Sequence, residues 1–402
     1  MSRHTKDCLI FNKLWQKICL IAIAVLIVAD TGFCIIYACA ELSTVLAVPL
    51  IAFASVGLIF AVGAYLTLLF GKKKAATVIL IILFVICFSF MNTISFLFIS
   101  GKSSMLNRPD NTKMPSRSDI EIDNDGIVFY NGKKYEYNTA MTTILFMGID
   151  KADIDKTAVN GKNGQADAIY AVTIDTNTGK TTVICLSRDI MTDIKLYSVE
   201  GNYIRTERSQ LCLSYAYGDG KQLSCENCVW SATNVLLGVP INTYLAMDYK
   251  AIAVLNDAVG GVEVPGYTSD WSKKTGKTVT LHGNKAYDYV HYRNIKQLES
   301  NNYRITRQID YLKSFSAKAI AMTKSNISTP LNLYKKINDY SVSNLSADKI
   351  TFLTSVFMKG STEIEFKRIE GKTESDGEHA MFIPDESALY SLVLNVFYKE
   401  VG

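Results

Sequence analysis

Histidine is scarce in this chain: His4, His282, His291 and His379 are the four it has in 402 residues. Scattered as they are, they form no imidazole cluster of the kind that zinc catalysis uses. A G-x-S-x-G turn is missing, and so is a Walker loop ending in Lys-Ser/Thr. Serine-hydrolase and P-loop nucleotide-hydrolase chemistry therefore fall away. There is no internal repeat and no low-complexity block. Nine cysteines are present, but the one C-x-x-C pair, Cys225 and Cys228, has neither a second pair nor a nearby histidine, which falls short of a zinc site. Cys8, Cys19, Cys34, Cys39 and Cys87 lie in or beside apolar runs, where cysteine behaves as a small hydrophobe. For Cys185, Cys212, Cys225 and Cys228 two readings stay open, unpaired core thiols or a Cys212–Cys225 bridge, because spacing alone does not fix connectivity.

Excess charge is missing from most of the chain as well. The formal net charge is +4, and all of it sits in the first hundred residues. Arg3, Lys6, Lys13, Lys17, Lys72, Lys73 and Lys74 stand there against Asp7, Asp30 and Glu41, whereas the rest carries 35 basic and 35 acidic side chains. A nucleic-acid footprint needs a basic surface, and no nucleic-acid partner is expected.

What the first hundred residues do have is apolar length. Residues 18–40, 42–70 and 75–100 are three consecutive runs, each longer than the roughly 20 residues that cross a hydrocarbon core, and Asp30 is the one formal charge inside them. A cleaved signal peptide has a shorter apolar core that stands alone. Three transmembrane helices are the expectation, with Asp30 paired to a polar group. Basic loops stay in the cytoplasm. The basic N-terminus and the three-lysine loop therefore place the N-terminus inside and everything after Ser100 outside, as a multi-pass protein of the cytoplasmic membrane. Residues 101–118 are polar and read as a linker, leaving 119–402 as the extracellular domain.

That domain reads as α/β. Asn131-Gly132 between two β-rich runs is a hairpin signal. Thr143–Met147, Ala168–Ile174 and Thr181–Leu186 are continuous apolar runs that suit strands buried on both faces. Helical patterns follow at Glu226–Leu237 with Ser224 as its cap, at Lys250–Val259, at Gly283–Tyr289 and at Asn302–Thr323. Strands alternating with helices predict a three-layer α/β/α domain with a central mixed sheet.

The chemistry-bearing residues are aspartates at strand ends and arginines in clusters. Asp150 follows the first strand, Asp167 opens the next, and Arg188-Asp189 ends the third. Strand ends are where α/β sheets place ligands, and Mg²⁺ takes one or two carboxylates plus phosphate oxygens and water. Arg293, Arg304 and Arg307 gather on the helical side, where guanidinium forks suit phosphate. Taken singly, each such aspartate also suits a turn and each arginine a solvated helix face.

In order along the chain stand ILFMGID (144–150), ADAIYAVTIDTNTGKTTVICLSRD (166–189), LSYAYGDG (213–220), NVLLGVPINTYLAMDYKAIAVLNDAVGGVEV (234–264), LHGNKAYDYVHYRN (281–294) and YRITRQIDYLKS (303–314). With these motifs the chain resembles the LytR-CpsA-Psr family of cell-wall glycopolymer ligases from about Gly126 to its C-terminus. The resemblance implies a phosphotransferase that moves a glycopolymer from an undecaprenyl-diphosphate carrier onto peptidoglycan. By position, Asp150 and Asp167 would hold Mg²⁺ (or Mn²⁺). Arg188, His291, Arg293, Arg304 and Arg307 would meet the diphosphate, with Gln308 supporting them. Asp189 would orient an arginine or help activate the acceptor hydroxyl, and Arg188, Asp189 and Arg293 form the catalytic set. An apolar groove between sheet and helices would house the prenyl chain. Two departures stand out: His291 replaces the first arginine of the family's Arg-x-Arg, and Asn301-Asn302 replaces an aspartate before the Arg-x-x-Arg helix. They favour the alternative of a non-catalytic polyprenyl-lipid-binding or regulatory protein; hydrolysis of the prenyl diphosphate, with water as acceptor, is a third reading.

Overall fold

The computed structural model describes residues 3–69, 74–106, 121–123, 126–151, 164–293, 300–360, 364–375, 377 and 379–402. Chain contacts divide it into two compact units, Met1–Ser100 and Gly101–Gly402. The first unit consists of α1 (Arg3–Glu41), α2 (Thr44–Leu69) and most of α3 (Lys74–Leu106). Each contains a stretch long and apolar enough to cross a membrane, and helix is the form that pairs every backbone group within such a segment. Asp30 accepts a hydrogen bond from Asn92 Nδ2 at 3.1 Å, so its expected polar partner is a third-helix amide. α3 runs on to Leu106, so the segment read as a linker from residue 101 begins as helix. Residues 107–118, Lys72 and Lys73 lie outside the described residues.

The second unit opens with β1 (Glu121–Ile122), β2 (Val128–Tyr130), β3 (Lys133–Tyr137), β4 (Met141–Ile149), β5 (Ala166–Asp175), β6 (Thr181–Leu186), β7 (Met191–Tyr197) and β8 (Tyr203–Gln210). Then come α4 (Leu213–Ala216), α5 (Gln222–Val235), β9 (Thr243–Met247), α6 (Tyr249–Ala258), β10 (Val262–Tyr267), β11 (Lys274–Leu281), α7 (Asn284–His291), α8 (Ser300–Ser325) and α9 (Thr329–Lys336). The chain closes with β12 (Ser341–Ser343), α10 (Ala347–Lys359), β13 (Ile364–Arg368), β14 (Gly371–Ser375), β15 (Ala380–Pro384), α11 (Glu386–Phe397) and β16 (Tyr398–Val401).

The central sheet has the order β12-β9-β4-β5-β6-β13. β4, β5 and β6 form an antiparallel meander. β9 and β13 flank it in parallel, and β12 closes one edge antiparallel to β9. The sheet is thus mixed, with helices on both faces. Alternation along each strand sorts the side chains. Leu145, Met147, Ile169, Ala171, Ile184, Leu186, Tyr244 and Ala246 point one way and pack with Cys225, Cys228 and Ala232 of α5 and Val393, Leu394 and Phe397 of α11. This is the main core. The opposite face meets α6, α8, α9 and α10 around a cavity.

A second sheet, β1-β2-β3-β16, contains the expected hairpin. Asn131 and Gly132 sit at φ 51° and 75°, the left-handed pair that a two-residue hairpin turn requires. The expected cap of α5 is corrected. Ser224 lies inside the helix, which starts at Gln222. Its Oγ donates to the Tyr215 carbonyl at 2.6 Å and accepts from Gly220 N at 2.8 Å, so local turn bonds outcompete capping. Cys185, Cys212, Cys225 and Cys228 are free, buried thiols, and burial raises the Cys212 pKa to about 11 and that of Cys228 to about 12.

The β5–β6 turn ends on Gly179, at φ 72°, and a Cβ there would stand 2.4 Å from Gly360 N after α10. Left-handed strain and a backbone clash combine, so Gly179→Ala is expected to destabilise the domain by about 2–5 kcal/mol. Thermal unfolding of the purified full-length chain checks it, and an unchanged melting temperature would show that the two loops part without cost.

Candidate functional site

Strand polarity brings the candidate residues together. Because β4, β6 and β9 end where β5 begins, Asp150, Asp167, Arg188-Asp189 and Asp248 all stand at one end of the sheet. Asp248 caps α6 through Oδ1, which accepts from Lys250 N at 2.8 Å and Ala251 N at 3.1 Å. Asp150 N donates to the Gln165 carbonyl at 3.1 Å, and Gln165 N returns a bond to Asp150 Oδ1. The two strands are thereby tied at the point where their carboxylates emerge.

Asp167 is the centre of the cluster. Its Oδ1 pairs with Arg188 Nη1, and its Oδ2 faces Arg304 Nη1 of α8 at 3.4 Å. Arg188 also donates from Nη2 to Gln165 Oε1 and, at 3.4 Å, to Cys212 Sγ. Its Nε stands 3.4 Å from Asp189 Oδ1. Burial pushes the Asp189 carboxyl above its ordinary pKa, although Arg188, Arg293 and Arg304 pull the other way. Burial lowers the pKa of Arg304, opposed by Asp167 and reinforced by Arg188 and Arg293. Arg293 thus lies near enough to act on both.

Through Asp167 and Arg304 the cluster borders one end of a cavity of about 520 Å³. Asp150, Asp167, His291, Arg304 and Gln308 line that end. The remainder is almost wholly apolar. Phe146, Val172, Val183, Leu245 and Phe366 come from the sheet, Tyr311, Phe315 and Ala319 from α8, and Leu353 and Phe357 from α10. Arg304, Gln308, Tyr311, Phe315, Ala319 and Thr323 form one stripe along α8, the spacing of a single helix face. An apolar chain fits the cavity and an anionic head fits its end.

Of the expected residues, Arg188, Asp189, Arg293 and Arg307 stand outside the cavity lining, and those within it differ in what they do. His291 is exposed and stacks on Tyr287, with ring centroids 4.6 Å apart. Gln308 is a strut, accepting from Tyr170 Oη at 2.7 Å and donating to the Val290 carbonyl at 3.2 Å. Arg307 departs from the expectation of a diphosphate ligand. It is 1% exposed, and its three nitrogens donate to carbonyls: Nε to Tyr289 at 2.9 Å, Nη1 to Trp271 at 3.0 Å, and Nη2 to Tyr292. Among the described residues no group of three or more His, Cys, Asp or Glu is placed to hold a metal. The side chains of Asn301 and Asn302 lie outside the described residues. Gln165, Cys212 and Tyr170 belong to the network though sequence reasoning does not single them out: Gln165 and Cys212 flank strand ends, and Tyr170 lies within β5 among its apolar neighbours.

A model of the LytR_cpsA_psr family matches residues 99–395. The polyisoprenyl-teichoic acid–peptidoglycan teichoic acid transferase TagU of Bacillus licheniformis is 21% identical over 322 residues, covering 79% of this chain and 93% of that one. TagU of Enterococcus faecalis is 22% identical over 232 residues, covering 57% and 70%. Among solved structures, a Streptococcus agalactiae protein shares the fold with a TM-score of 0.52 at 19% identity, over 64% of this chain and 87% of that one.

Replacing Arg307 strips donors from three carbonyls at once. Arg307→Met is expected to cost about 3–5 kcal/mol of stability, read as a lower melting temperature and denaturation midpoint. An unchanged midpoint would return Arg307 to the ligand-binding set.

Proposed function

The chain belongs to the LytR_cpsA_psr family, and on that footing we propose that it is a cell-wall glycopolymer transferase, taking the polymer from an undecaprenyl-diphosphate carrier to peptidoglycan at the outer face of the cytoplasmic membrane. The observation that carries this reading is the amphipathic cavity: an apolar tunnel that ends on Asp167, Arg304 and their neighbours. A prenyl diphosphate has the same polarity along its length. The names of the similar transferases agree with it, as do the three apolar helices. In this reading the N-terminus is cytoplasmic and the second unit extracellular.

In this reading Asp150 and Asp167 would be the residues that hold a divalent cation of the Mg²⁺ type. Asp150 and Asp167 line the same cavity end, and two hard carboxylates suit an ion whose other ligands are phosphate oxygens and water. When bound, it would neutralise charge on the diphosphate. Arg188, Arg293 and Arg304 then supply the fixed positive charge that phosphoryl transfer relies on more than on covalent chemistry. His291, at the mouth, contacts the head group or the first sugar. The apolar lining holds the carrier and excludes water from the phosphates. Asp189 is a candidate to take the proton of the acceptor hydroxyl, since burial strengthens it as a base.

The test is transfer by the purified full-length protein from a prenyl-diphosphate-linked glycan to peptidoglycan. Product is expected with Mg²⁺ and none with chelator. Arg188→Ala and Asp167→Ala are each expected to lose about a hundredfold or more in rate. Binding of the donor without turnover would instead favour a non-catalytic lipid-binding protein, and release of phosphate-terminated polymer without acceptor would favour a hydrolase.

A further inference from the structure

Gln165 touches the charged cluster at both Asp150 and Arg188. Its backbone exchanges two hydrogen bonds with Asp150, N to Oδ1 and carbonyl from N. Its Oε1 accepts from Arg188 Nη2 and lies 3.8 Å from Cys212 Sγ. Around it the backbone is cross-tied. Ala166 N donates to the Cys212 carbonyl at 3.2 Å, and Cys212 N donates to the Arg188 carbonyl at 3.0 Å. Three separate segments therefore meet at this side chain.

We propose that Gln165 is a positioning residue: its neutral oxygen fixes the Arg188 fork while its backbone fixes Asp150, so that the diphosphate grip and the carboxylate pair keep one geometry. Neutrality is the point. Arg188 already faces two carboxylates, Asp167 and Asp189. A third would cancel the charge left for phosphate, whereas an amide oxygen orients the guanidinium and leaves its charge intact. A planar fork already held in place also loses less freedom when it meets an anion. This inference rests on the reading of Arg188 as a diphosphate ligand.

The test compares binding of geranylgeranyl diphosphate and geranylgeraniol, with magnesium chloride present, to the full-length protein by isothermal titration. The wild type is expected to prefer the diphosphate. Gln165→Met keeps the side-chain length and removes the acceptor. It is expected to weaken the diphosphate about tenfold and leave the alcohol affinity unchanged. Gln165→Glu keeps the acceptor and adds the third carboxylate, and is expected to weaken the diphosphate selectively as well. Equal losses for both lipids, or wild-type preference retained in Gln165→Met and Gln165→Glu, would overturn the assignment while leaving the prenyl-diphosphate reading in place. A wild type with no preference for the diphosphate would overturn both.

Discussion

Asp167 is held between Arg188 and Arg304, and that shared carboxylate joins three parts of the chain at one point. It opens β5, Arg188 follows β6, and Arg304 lies near the start of α8. None of the three is well exposed, and an arginine buried without a partner is costly. The ion pairs therefore fix where α8 crosses the sheet, and α8 in turn forms one wall of the cavity. Attraction between buried charges barely exceeds the cost of drying them, so such a cluster is better understood as a device for placement and for anion binding than as a source of stability.

The sheet supplies the stability and also the opening. One face is packed solid against α5 and α11 by Leu145, Met147, Val393 and Phe397. The other face is equally apolar, but its covering helices stand away from it. Phe146, Val172 and Val183 line space rather than a filled core. A continuous apolar strand is the expected signature of burial on both sides, and here the second side is buried against a cavity. The same residues that make β4, β5 and β6 predictable as strands therefore make the lining suitable for a hydrocarbon chain.

Much of this was legible in the sequence, for physical reasons. The apolar runs of β4, β5 and β6, the Asn131-Gly132 turn, the three long apolar helices and the placing of Asp150, Asp167 and Arg188 at strand ends all follow from local composition plus strand polarity. The ribbon of β7 and β8 was not legible, because β8 is exposed along most of its length and shows no alternation. Arg307 was misplaced for a simple reason. Three residues turn a helix by about 300°, so Arg304 and Arg307 are neighbours that diverge by about 60°. One reaches the sheet and the other the carbonyls of Trp271, Tyr289 and Tyr292. Gln165 and Cys212 are brought together across strand ends, a juxtaposition that neither residue's own surroundings in the chain foreshadow.

The stripe on α8 makes that helix a gauge. From Arg304 to Thr323 the rise is about 28 Å at 1.5 Å per residue, and it runs from the charged end into the apolar tunnel. Head and tail of any amphiphile in the cavity are thus measured against a rigid rod. Substitutions along the rod change the width of the tunnel one position at a time. A single-residue insertion or deletion does something different: it turns every later side chain by about 100° and carries the whole stripe off the cavity. Variation in this helix can therefore retune the tunnel's fit by exchanging residues, but not by changing their number.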